Sequence, residues 1–192
     1  FTANSIGVGG GINATYSIVS VSSCVFEDNF AENLGGGIHA TYSTLTVKNS
    51  VFRGNRAGYQ SFPDDDTVDG NGGAIACEYT NMSIDGSLFN DNYARNKGGG
   101  VHMGNGQVSV VDSLFFNNTA GSSNVDDAEP RGEGAAFSFT VCTQSFDGLS
   151  ACGVNDTAFM YNTAGKKGGG IAVGSGSGPS YIEFNRCLIH KS

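Results

Sequence analysis

The side chains best suited to chemistry in this chain are its carboxylates, and they are bunched. Asp64, Asp65, Asp66 and Asp69 fall in one short stretch, and Asp126, Asp127 and Glu129, followed by Glu133, fall in another. Dense oxygen ligands of this kind suit a hard cation such as calcium. The spacing Asp64/Asp66/Asp69-Gly70 departs from the EF-hand loop, and acidic loops are ordinarily just solvated. Asp64, Asp66, Asp69, Asp126 and Asp127 are therefore candidate calcium ligands, with no catalytic partner beside them. A polysaccharide lyase or hydrolase would need carboxylates on neighbouring strands, for acid–base work or calcium, and commonly a cation for the substrate's uronate. The positions expected to face outward on the strands carry Thr44, Thr46, Lys48, Ser83, Asp85 and Ser109, which reads as a solvated face. No catalytic residue and no organic cofactor is assigned.

Other reactive side chains are sparse. His39 and His102 share one outward strand position two repeats apart, with Ala76 between them; zinc would need further ligands that do not recur nearby, so both read as exposed surface histidines. Of five cysteines, Cys142 and Cys152 flank one local insertion and are the expected disulfide, which favours an oxidising compartment. Cys77 falls in an inward column and reads as a buried, inert thiol. Cys24 and Cys187 occupy the same repeat position at opposite ends and cannot pair within one chain. Asn13, Asn81, Asn117 and Asn155 begin Asn-x-Ser/Thr sequons. Composition alone yields about as many, but alternation points all four outward, as candidate acceptors of N-linked glycans.

What must position these groups is a repeat. Phe-x-x-Asn-x-Ala recurs at Phe26/Asn29/Ala31, Phe52/Asn55/Ala57, Phe89/Asn92/Ala94, Phe115/Asn118/Ala120 and Phe159/Asn162/Ala164, with a half-copy at Phe1/Asn4 and a basic period of 26 residues. A glycine cluster precedes the phenylalanine in each unit, as in Gly35–Gly37 and Gly98–Gly100. Between cluster and phenylalanine the apolar residues alternate: Ile38/Ala40, Leu45/Val47, then Ser50/Phe52. Three short strands per unit, each with one buried face, is the reading. Such a unit cannot bury its face alone, whereas stacked units form one continuous apolar column. The prediction is a right-handed parallel β-helix of about six coils, with Ile38, Ile75, Val101, Phe137 and Ile171 in one inward column. Asn29, Asn55, Asn92 and Asn118 should form an internal amide ladder. Insertions fall at the corner after Asn-x-Ala (58–70 and 121–132) and mid-unit (142–152 and 174–180).

With Phe-x-x-Asn in several tandem copies and Gly72-Gly73-Ala74-Ile75 once, the chain resembles the polymorphic outer-membrane protein repeat of chlamydial surface proteins. That resemblance implies a right-handed parallel β-helix at a cell surface, as an adhesive or structural passenger. Most copies here read Gly-Gly-Gly, and no C-terminal membrane barrel is seen.

Composition narrows the function further. Thirty glycines, no tryptophan and 15% charged residues do not suit a helical protein, because each helix-interior glycine costs about 1 kcal/mol relative to alanine. A net charge of −8 argues against nucleic acid and anionic membrane surfaces, which need a basic face. No apolar run is long enough to insert in a bilayer as a helix. Residues 1–192 form a single repeat domain, opening on Phe1-Thr2-Ala3-Asn4 in mid-repeat, and expected to be a segment of a longer β-helix or a filament subunit. The expected function is an extracellular or cell-surface structural or adhesive protein: a stalk, passenger or head-to-tail fibre subunit. Its partners would be itself, end to end, or neighbouring domains of the same polypeptide. The alternative is a carbohydrate-active enzyme or carbohydrate-binding module on the β-helix of the pectin-lyase type.

Overall fold

The computed structural model describes residues 1–58, 70–121, 132–142, 152–174 and 182–191. The described chain winds as a parallel β-helix, and each strand pairs in parallel with its equivalents one coil before and after. Three sheets run along it, of six, eleven and six strands. Their distribution over the unit differs from the three apolar runs. The first two runs share the eleven-stranded sheet, joined where Val101–Val111 is one unbroken strand. The Phe run forms a second sheet. The Asn-x-Ala corner contributes the third through two-residue strands such as Arg56–Ala57 and Tyr93–Ala94.

The inward columns follow the period. Ile12, Ile38, Ile75, Val101, Phe137 and Ile171 are paired coil to coil, and the four from Ile38 to Phe137 are fully buried. The repeat phenylalanines form a continuous stack: centroid separations run 4.7 Å for Phe1–Phe26, 4.7 Å for Phe26–Phe52, 4.8 Å for Phe52–Phe89, 4.6 Å for Phe89–Phe115 and 5.1 Å for Phe115–Phe159. Burying each ring is worth roughly 1.5–3 kcal/mol, and stacking with its neighbours adds to that.

The asparagine of the motif solves the polar problem of a buried corner. Asn29, Asn55, Asn92, Asn118 and Asn162 are at most 1% exposed. From Asn4 to Asn118, each amide nitrogen donates to the next coil's Oδ1, from Asn4→Asn29 at 2.8 Å to Asn118→Asn162 at 3.0 Å. It also donates to the carbonyl of the preceding coil's phenylalanine, as Asn92 does to Phe52 at 2.9 Å. Each Oδ1 receives a second bond from the backbone N–H of the preceding coil's asparagine. From Asn29 to Asn118 both donors and both lone pairs are used, so these buried amides carry no unmet demand. A hydroxyl ladder runs in parallel: Cys24, Ser50 and Ser87 donate backbone N–H bonds to the Oγ of Ser50, Ser87 and Ser113 respectively, at 3.1, 3.1 and 3.2 Å.

The glycine cluster has two separate causes. Gly35 holds φ of +63°, which an L side chain rarely adopts. Gly36 has ordinary φ, but a Cβ there would lie 2.3 Å from Gly73 O and 2.5 Å from Arg56 O. The third position is less crowded, and Ala74 and Ala136 occupy it in the Gly-Gly-Ala and Gly-Ala-Ala copies; the latter also admits Ala135 at the second position, so the close approach there disfavours a Cβ without excluding it.

Candidate functional site

The five predicted calcium ligands, Asp64, Asp66, Asp69, Asp126 and Asp127, lie outside the described residues, but the roots of their loops are described. Gly58 and Gly70 pack against each other, as do Gly121 and Gly132, so each insertion leaves and rejoins the coil at one point. Both points belong to the Asn-x-Ala corner, where Ala57 pairs with Ala94 and Ala94 with Ala120. The two acidic insertions therefore spring from the same corner two coils apart.

His102 corrects the surface-histidine reading. It is 3% exposed, and its column neighbours Ala76 and Ser138 are 1% and 3% exposed, so the middle of this outward column is covered rather than solvated. Alternation reports which side of a sheet a residue takes, and not whether something lies over that side. The Glu78 carboxylate lies over Gly104, filling the space a side chain would need there, with Oε1 3.7 Å from His102 Nε2. Nδ1 of His102 is buried without a hydrogen-bond partner among the described residues. His39 is half-buried, with Nδ1 3.1 Å from Asn13 Oδ1 and Nε2 3.1 Å from Thr41 Oγ1. Burial holds its pKa below the ordinary 6.5, with the Glu78 charge pulling the other way. No group of three His, Cys, Asp or Glu side chains among the described residues could hold a metal ion.

Cys24, Cys77 and Cys187 are free thiols, and burial pushes the Cys77 pKa up. The register sets Cys142 beside Gly106 and Cys152 beside Val108, two residues apart along the same neighbouring strand. Of the sequon asparagines, Asn13, Asn81 and Asn117 are exposed and Asn155 is partly exposed.

A feature not anticipated from the repeat is a row of tyrosines. Tyr16, Tyr42 and Tyr79 hold the same turn in successive coils, stacked at 5.1 and 4.9 Å, and remain 79%, 49% and 56% exposed. The signal was present as Thr15-Tyr16-Ser17, Thr41-Tyr42-Ser43 and Tyr79-Thr80 at one repeat phase. The row lines a shallow, open trough of about 400 Å³ together with Ile18, Thr44 and Asn81.

The two end faces are apolar. At one, Phe1 and Ile6 are 54% and 58% exposed; at the other, Val173, Phe184, Leu188 and Ile189 are 51%, 41%, 52% and 57% exposed.

Residues 23–41 and 49–78 match the family model of the Chlamydia polymorphic membrane protein repeat. Over these stretches the chain is similar to that repeat, and they hold Phe26/Asn29/Ala31, Phe52/Asn55/Ala57 and Gly72–Ile75. No curated protein and no solved structure matches the chain significantly.

Proposed function

We propose that this chain is part of a surface-exposed, extracellular β-helical rod with a structural or adhesive role and no catalytic one, lengthened by coil-on-coil stacking at its ends. The observation that carries the reading is the pair of apolar end faces. Phe1 stacks on Phe26, and Ile189 pairs below Phe159, so both ends of the aromatic column stop at exposed apolar side chains over open strand edges. Edges of that kind template further pairing. The amide ladder has one direction, each nitrogen donating toward the next coil, so only a head-to-tail neighbour extends it. The partner is a further coil of the same kind, from a second copy or from the same polypeptide. The surface location draws on the similarity of residues 23–41 and 49–78 to a membrane-protein repeat. Glycans at Asn13, Asn81, Asn117 and Asn155, and calcium on the acidic insertions, belong to the same proposal as lateral decoration.

The test is sedimentation of the purified chain over a hundredfold concentration range. Elongated oligomers that grow with concentration and are lost in Ile189→Lys are expected. A monomer at every concentration would remove end stacking from the account.

A further inference from the structure

We propose that the trough beside the tyrosine row, with the strand face it opens onto, binds an extended neutral polysaccharide. Tyr16, Tyr42 and Tyr79 all hold φ of +50°, a left-handed conformation that disfavours bulky side chains. At comparable left-handed turns the chain mostly uses short polar side chains, as at Asp28, Asn49, Asp91, Asp112, Asn117 and Asp156, with single bulky residues at Tyr161, Arg186 and Lys191; only the tyrosine phase carries an aromatic in three successive coils. Turn chemistry therefore does not account for three aromatics at one phase. Their mutual stacking does so only in part, since the rings stay about half exposed or more.

The surroundings select the ligand class. Thr44 and Asn81 line both the tyrosine trough and a second depression of about 210 Å³, which also includes Thr46, Ser83, Gln107 and Ser109. Among the described residues no Asp, Glu, Lys, Arg or His lines either one, in a chain of net charge −8. A surface of hydroxyls, amides and aromatic rings without charge fits a polyhydroxylated neutral ligand. It does not suit a polyuronate, a nucleic acid or a charged peptide. The coil-to-coil register repeats the motif along the axis, with Ile18, Thr44, Asn81 and Gln107 in one column and Ser20, Thr46, Ser83 and Ser109 in the next. Because the ring faces of Tyr42 are taken by Tyr16 and Tyr79, a ligand meets ring edges and a row of phenol hydroxyls about one coil apart. A polymer lying along the axis meets one phenol and one strand hydroxyl or amide per coil. This inference does not depend on end stacking, and it supplies the adhesive reading with a ligand.

The experiment uses the whole chain made in a host without N-glycosylation, so that Asn81 is bare. The protein is mixed with suspended cellulose, chitin and β-1,3-glucan, and with polygalacturonate as the charged control, and its depletion from solution is measured. Tyr42→Gly and Tyr79→Gly are the variants, because glycine takes φ of +50° without strain and the coil is kept; circular dichroism and the urea midpoint check this. Adsorption to at least one neutral polymer is expected, weakened about tenfold or more in either variant and unchanged in Glu32→Gln on another sheet. Absence of adsorption to every neutral polymer, adsorption to polygalacturonate alone, or full retention in both variants would overturn the proposal. So would loss of self-association in these variants with no loss of polysaccharide, since the face would then be a contact between copies. Ile189→Lys, which acts on the ends, should leave adsorption intact and so separates the two proposals.

Discussion

Asn92 sits mid-ladder, donating to Phe52 O and Asn118 Oδ1 and accepting from the backbone and side chain of Asn55. Asn92→Ala strands the Asn55 donors and the Asn118 acceptor in a dry corner, where each unmet group costs about 1–3 kcal/mol. Chemical denaturation should register a loss of about 3 kcal/mol or more; a loss below about 0.5 kcal/mol would mean that the ladder does not hold the coils together. His39 makes a pH-dependent contribution. Its folded pKa lies below its ordinary 6.5, so the unfolded chain binds the proton more readily. The stability it contributes is complete above pH 6.5 and is lost as pH falls through the folded value. Replacing it, as His39→Gln, should flatten the fall in urea midpoint just below pH 6.5; an unchanged slope would place the titration elsewhere. Asn29 through Asn118 were legible as a ladder because an amide recurring at a buried phase has few other ways to be satisfied. His102 was misread because its burial depends on what covers the sheet.

At the scale of the element, the two glycine causes separate under substitution. Gly36→Ala sets a Cβ 2.3 and 2.5 Å from two backbone carbonyls; Ala135 holds this position in the Gly-Ala-Ala copy, so the coil has to shift locally, and the substitution should destabilise the chain without unfolding it. Gly37→Ala copies the alanine already present at Ala74 and Ala136 and should be mild. Equal damage from both would mean that backbone approach is not what the second glycine serves. The mid-unit insertion offers a covalent test. The register brings Cys142 and Cys152 to one edge of Val101–Val111, and peptide mapping without reductant should recover them linked. Recovery of both as alkylated free thiols would remove the staple. The strands themselves were readable from period-two alternation and the 26-residue spacing. Their grouping into sheets was not, because the merger at Val101–Val111 depends on Gly104-Asn105-Gly106 replacing the tyrosine turn. The tyrosine row escaped the inward-looking pattern for a related reason: a turn residue contributes nothing to the apolar column.

Over the whole molecule, one stack of rings, one of amides and one of hydroxyls run coil to coil, so stability accumulates between neighbours as in other solenoids. An array built on nearest-neighbour contacts leaves its demand at the two ends, and there the chain exposes Phe1, Ile6, Leu188 and Ile189. The rod, the adhesive face and the end stacking are one account, and end stacking is its most exposed part. Electron microscopy of the purified chain at high concentration tests it directly. The account predicts unbranched filaments with an axial repeat of roughly 29 Å, six coils at ~4.8 Å each, dispersed by Ile189→Lys. Single particles at every concentration, or side-by-side assemblies that persist in Ile189→Lys, would contradict it.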